Sequence, residues 1–333
     1  MLRLALLATA LSCFAPLAHA GCGGTATARS DNDVYGQAGQ DQGYSAGFAF
    51  AWATPTVARD ETGCLAGLDR ATRWLAWGPG THRNLVLTWH YSIYTPTDGT
   101  RADLILDDRP YAGTLLLGIG QQVRDDNRMA ATHLRLGIIG PSAQGEMAQD
   151  SIHHLFGRER FRGWDNQLRD EPLLQLAHER AWRHRAEPGD RGLAWDRTWF
   201  AGGAMGSPST YANAGVEFRF GKNLPDDFGS NPMRLAGDGT APVLENAGGD
   251  GWDWHFFASL EARAVAYDVT LDGTLTRDSH SVDSRAGFAE LGLGVVLSHG
   301  PWRLAGGHYR RSREFSGQRE APVYGSLSLS RRF

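Results

Sequence analysis

Residues 149–168, QDSIHHLFGRERFRGWDNQL, concentrate side chains suited to hydrolysis. Gln149 and His153 are four apart and share one face if the segment is helical. A neutral histidine can act as a general base near pH 7. His154 would point about 100° away from His153 on a helix, so only one of them can face a given site. The spacing does not say which. Arg158, Arg160 and Arg162 follow at every second position, and Arg101 sits in another expected loop. Guanidinium groups bind phosphate in bidentate fashion, although arginines in a loop also serve simply to solubilise it. Asn32 and Asp33, in SDNDVYG, offer an amide oxygen and a carboxylate, hard donors that suit calcium better than zinc. Ser45, in QGYSAG, adds a hydroxyl. Together these groups suggest ester hydrolysis, with the histidine deprotonating water while a cation polarises the carbonyl. Each has a plainer role open to it: a turn for Asn-Asp, a small filler for Ser45, polar surface for the histidine.

The elements that must position these residues read as strands. GYSAGFAFAWA alternates Tyr44, Phe48, Phe50 and Trp52 against Ser45, Gly47, Ala49 and Ala51. NLVLTWHYSIY and PYAGTLLLGIG alternate in the same way. With further segments near 27–36, 131–139, 173–185, 194–206, 210–220, 253–266, 284–298 and 301–313, about twelve strands are expected. VYGSLSLSRRF makes the last and stops on Phe333. An aromatic terminal residue, 42 glycines and 11 tryptophans fit turn-rich strands with aromatic girdles. The fold class is therefore all-β, a closed antiparallel transmembrane β-barrel, because closure removes both edges from lipid. Two long loops interrupt the pattern, 141–170 and 221–250, and long loops of such barrels are expected outside the cell. The first carries the histidines on a short helix; the second offers no chemistry.

The remaining features bound the class. Met1-Leu2-Arg3, an apolar run and AHA before Gly21 read as a secretory signal peptide over 1–20, leaving 21–333 as one barrel domain. Cys22 as a lipidated residue is the weaker alternative, since His19 stands where an aliphatic residue is usual. Cys22 and Cys64 then remain as a pair in an oxidising compartment, where they are expected to bond. Mean hydropathy is −0.37, and no later stretch is apolar enough for a membrane helix. A net charge of −4 gives no basis for nucleic-acid binding.

SDNDVYG, DQGYSAG, DDRPYAG, LRLGIIGPSAQGEMAQDSIHHLFG, GWDNQLRDEP, FRFGKNLPDDFG and REFSGQ occur in that order. The ordered set resembles the outer-membrane lipid A deacylase family, over nearly the whole expected mature chain. The resemblance implies a twelve-stranded barrel in the bacterial outer membrane. It also implies a calcium-dependent esterase that removes the 3'-linked acyloxyacyl chain of lipid A in lipopolysaccharide. The family's histidine falls on His153, its glutamine on Gln149, its Asn-Asp pair on Asn32 and Asp33, and its small hydroxyl on Ser45. By the same resemblance Asn32, Asp33 and Glu159 are metal-ligand candidates. The chain departs from the commoner pattern at Ala46, where many members carry an amide. The protein is expected to work as a monomer. Two other readings are open: a serine-nucleophile phospholipase with Ser45 attacking, and a pore without catalysis.

Overall fold

The computed structural model describes residues 22–36, 43–155, 157–187, 189, 192–235 and 251–333. The expected signal peptide, 1–20, lies outside them. The strands are β1 (Thr25–Asn32), β2 (Gly43–Ala53), β3 (Val57–Ala58), β4 (His82–Thr95), β5 (Ala112–Arg124), β6 (Arg128–Ile139) and β7 (Glu171–Arg185). They continue as β8 (Leu193–Gly206), β9 (Ser209–Lys222), β10 (Trp252–Asp268), β11 (Gly287–His299), β12 (Trp302–Arg311) and β13 (Val323–Arg332). Every strand pairs antiparallel with its neighbours; β1 joins β13, and β2 pairs with β4, so twelve strands close on themselves with the short β3 beside β4. Closure satisfies the backbone of both end strands, as an apolar surround requires.

Alternation decides which face meets lipid. Along β7, Gln175, Glu179 and Arg183 are buried while Leu174 and Trp182 are exposed. Leu136, Leu260, Leu293, Leu304 and Leu329 are exposed on other strands. This is the inverse of a soluble barrel, with charge inside and leucine outside.

A plug enters the lumen and leaves a cavity between Arg29, His90, His133, Arg135 and residues 232–235. Residues 223–235, from the second long loop, fold back between the strands. Asp227 is bonded by Arg219 and by Arg303, the latter at 2.7 Å. Arg234 donates to Glu179 at 2.8 Å, and the amides of Ser230 and Asn231 donate to the Glu217 carboxylate. FRFGKNLPDDFG is thus a plug motif. The expectation that both long loops lie outside the cell fails here, because this one leaves the barrel at the end opposite residues 140–170. Its end also holds the start of β1, the end of β13, the turns 125–127 and 300–301 and the short β7–β8 connection, and is assigned to the periplasm on that basis.

Cys22 and Cys64 are bonded, with Cα atoms 5.7 Å apart, a normal separation for a disulfide. The bond ties the start of β1 to the β2–β4 connection, which carries helix α2 (Ala66–Thr72). Helix α1 (Asp33–Gly36) precedes it in the chain, directly after β1.

Candidate functional site

Helix α3 (Gly145–Leu155) crosses the outside of the barrel wall at its extracellular rim. Its sequence is amphipathic, and tight turns set both of its ends. Upstream, Ser142 donates from its amide and hydroxyl to Asp170, at 2.8 and 2.7 Å. Downstream, Gly157 adopts φ +66° and the Arg158 amide donates to the His153 carbonyl at 2.8 Å, a left-handed stop that glycine makes cheaply. The helix seats on a shelf made by Ala46, Tyr91, Ile93, Tyr111 and Trp164, with Ala148 and Ile152 packed against it. Two glycines allow the close approach. A Cβ on Gly113 of β5 would lie 2.8 Å from the Gly145 Cα, and one on Gly145 would lie 2.8 Å from the Trp164 ring. These contacts explain why DDRPYAG and GWDN accompany the histidine segment.

Gln149 and His153 are buried beside this shelf, whereas His154 is exposed. The helical spacing left the two histidines open, and burial selects His153. Its Nδ1 lies 2.5 Å from the Glu159 carbonyl oxygen. A carbonyl can only accept, so Nδ1 carries the proton and Nε2 is the accepting nitrogen. The Gln149 amide nitrogen stands 3.3 Å from Nε2. The Phe161 ring meets the imidazole edge-on at 4.9 Å between centroids. The imidazole is therefore held in one tautomer and rotamer, with Nε2 as the nitrogen able to accept a proton.

The N-terminal residues approach the same patch of wall. Asn32 pairs with Ala46, which lies in the shelf beneath α3. Adjacent strand residues would normally point to opposite faces, but β1 ends at Asn32 and Asp33 begins α1. The Asn32 Oδ1 accepts the Val34 amide at 2.9 Å, making the turn, and Asp33 is buried. Ser45 sits at a β-bulge, since β2 shifts register against β4 between Tyr44 and Ala46. An inserted residue rotates what precedes it. Tyr44 therefore points into the lumen, donating to Asp31 at 2.7 Å, and not outward with Phe48 as the alternation suggested. Ser45 Oγ meets Thr95 Oγ1 at 2.5 Å, and Thr95 shares the outer face with Ile93 by alternation.

Glu159 contributes its backbone to His153, while its side chain is exposed. Among the described residues no set of three or more His, Cys, Asp or Glu gathers as a metal cluster. The donors at the rim, a buried carboxylate and an amide oxygen, suit a hard cation that completes its shell with carbonyl and water oxygens. They do not suit zinc.

The arginines lie around the mouth of this site. Arg160 is exposed and pairs with Asp150 of α3 at 3.3 Å. The Arg162 amide donates to the Gly99 carbonyl at 2.9 Å, and the Phe161 ring covers Gly99. Asn166 donates to the Ala102 carbonyl at 2.8 Å. The two loops are thereby joined, which brings exposed Arg101 to the same surface as exposed Arg162. Arg158 is half-buried at the end of α3. Sequence reasoning did not find Tyr91, Phe161, Trp164 and Thr95, the groups that seat the helix and engage Ser45. Tyr91 alone was marked in the sequence, as an aromatic residue on an outward strand position.

A family model described as outer membrane protein LpxR matches residues 3–333. The chain belongs to that family. The lipid A deacylase resemblance carried by the ordered motifs is thus sustained over the whole matched length, and with it placement in the bacterial outer membrane. The fold agrees. LpxR from Salmonella typhimurium superposes with a TM-score of 0.76 at 17% identity, covering 93% of this chain and 100% of that one. The β domain of the Bordetella autotransporter BrkA gives 0.46 at 12% identity, covering 94% of this chain and 100% of that one. No curated protein sequence matches significantly.

Proposed function

We propose that this member of the family hydrolyses the 3'-linked acyloxyacyl ester of lipid A in the outer leaflet, with calcium as cofactor and lipopolysaccharide as substrate. The observation that carries the reading is the His153 ring, buried at the outer face of the wall with Nδ1 on the Glu159 carbonyl and the unprotonated Nε2 beside the Gln149 amide. In the reaction Nε2 takes a proton from water as the water oxygen adds to the ester carbonyl. The tetrahedral carbon then expels the 3' oxygen, which takes the proton back from Nε2–H. The products are a free fatty acid and a sugar hydroxyl. Calcium, held by Asp33 and Asn32, would polarise the ester carbonyl and stabilise the developing oxyanion. Ser45 and Thr95, as a hydroxyl pair, orient water or the ester. Gln149 holds the Nε2 side of the ring. Arg101, Arg158, Arg160 and Arg162 meet the lipid A phosphates at the rim.

The serine-nucleophile reading is weaker because the Ser45 hydroxyl is engaged by Thr95. The pore reading is weaker because the 223–235 plug fills the periplasmic half of the lumen with ion pairs. The test is mass spectrometry of lipid A in outer membranes of a deacylase-negative host expressing the chain, incubated with calcium or with a chelator. Loss of one acyloxyacyl group with calcium only is the expected result. Unchanged lipid A with folded protein present would overturn the reading.

A further inference from the structure

The β2–β4 connection shows a second element laid on the outer wall, at the periplasmic end. Arg83, Gln121, Val123, Ala130 and Thr132 are outward positions of β4, β5 and β6 near that end, yet all five are buried. Residues 59–80 cover them. Arg83 forms a bidentate pair with Asp69 of α2, one arm at 2.7 Å. Gln121 donates to Asp69 at 3.2 Å and to Thr72 at 3.0 Å. Arg59 ties the arm's end, donating to the Gly78 carbonyl at 2.7 Å and accepting from Arg83 at 2.8 Å. Over 66–77 the exposed side chains of the arm are apolar and basic. Leu68, Trp74 and Trp77 are exposed, Trp74 at 54%, and Arg70 and Arg73 are exposed beside them.

The other strands say what this face meets. Near their periplasmic ends β7, β8, β10 and β12 expose Trp182, Trp195, Trp252 and Trp302, the girdle expected where a barrel meets headgroups. The wall of β4, β5 and β6 presents no tryptophan at that level, only the buried set above. The arm supplies it: the Trp77 ring packs on His178 of β7, centroids 5.5 Å apart, on the strand that carries Trp182. The arm's aromatic face thus continues the girdle across the gap.

We propose that residues 59–80 are a lipid-binding arm, with Leu68, Trp74 and Trp77 seated at the headgroup boundary of the periplasmic leaflet and Arg70 and Arg73 on phospholipid phosphates. Tryptophan prefers that boundary, and guanidinium groups there gain from phosphate. The Cys22–Cys64 disulfide and the Arg83–Asp69 pair hold the arm to the wall so that it enters the bilayer with the barrel. This element is separate from the lipid A site, and its lipids are glycerophospholipids.

The test places p-benzoylphenylalanine at position 74, and separately at the girdle position 182 once the latter is shown to yield lipid adducts. Each protein is put in nanodiscs of phosphatidylethanolamine and phosphatidylglycerol, irradiated and analysed by mass spectrometry. Heat-modifiable gel mobility confirms folding. Phospholipid adducts at 74 comparable to those at 182 are expected, with a several-fold fall for phosphatidylglycerol when Arg70→Glu and Arg73→Glu are added. Adducts at 182 but not at 74, or protein adducts alone at 74 in native outer membranes, would overturn the proposal and make the arm a periplasmic protein contact.

Discussion

Two elements lie on the outer wall of this barrel, and they are held there differently. Helix α3, at the extracellular rim, rests on glycine and aromatic contacts and is fixed by turn hydrogen bonds at both ends. The periplasmic arm is fixed by a buried ion pair, a glutamine and a disulfide. In both cases polar groups stand on the lipid side of a wall where they would otherwise face hydrocarbon, at a cost of several kcal/mol each. Each wall patch becomes possible because a segment from a connecting loop covers it. Under the arm the polar groups consume one another, Arg83 against Asp69. Under α3 the His153 Nδ1 is held by the Glu159 carbonyl at 2.5 Å, and Nε2 lies at the longer 3.3 Å from the Gln149 amide. The arm's network is closed by a full charge pair, and the one under α3 by neutral bonds around an unprotonated imidazole nitrogen.

Among changes that leave His153 in place, the largest effect expected on that contrast is at the helix seat. Gly145→Val pushes against Trp164 and Gly113 and should lift α3, lowering deacylation about 100-fold, as misplacement of a catalytic group by about 1 Å does. Measured on purified protein in lipid A micelles, the loss should come without loss of barrel fold. The converse change is Asp69→Ala, which leaves Arg83 buried without its carboxylate and should cost about 3 kcal/mol of local stability. Hydrogen exchange of residues 59–80 should rise while deacylation stays within twofold. If activity falls with the arm, the two wall elements are coupled and the contrast is wrong.

Acid should separate the two regions as well. Burial works to raise the Asp69 carboxyl, but hydrogen bonds from Arg83 and Gln121 outweigh it and hold the group below its ordinary value. A depressed carboxyl contributes stability that is complete above the unfolded value, near 3.9, and is lost as pH falls through the folded value. Exchange in the arm should therefore rise only below about pH 4, and Asp69→Asn should abolish that dependence. The smallest effect concerns the rim: Arg160→Ala or Arg162→Ala should raise KM for lipid A several-fold, with kcat little changed, since exposed single contacts contribute on the order of 1 kcal/mol.

Much of this was legible in the sequence because period 2 is a direct record of two faces. Twelve barrel strands overlap the alternating segments, although the one expected near 27–36 ends at Asn32 where α1 begins, and Gln149 and His153 share a helix face as their spacing required. Three things were not legible. A bulge adds one residue without changing composition, so the outward Ser45 and inward Tyr44 were hidden in an apparently regular run. A connecting loop carries no mark of the end it leaves or of whether it folds back, which hid both the 223–235 plug and the wall-bound arm. Adjacent histidines are equivalent until a shelf buries one of them, and that shelf comes from β2, β4, β5 and Trp164, remote in the chain.

The most direct test of His153 Nε2 as the base compares lipid A by mass spectrometry from a deacylase-negative host making wild type, His153→Ala or His154→Ala at equal levels of folded protein. Full loss of deacylation in His153→Ala, of order 1000-fold for a general base, with His154→Ala close to wild type, is the predicted result. Deacylation surviving in His153→Ala would contradict the account.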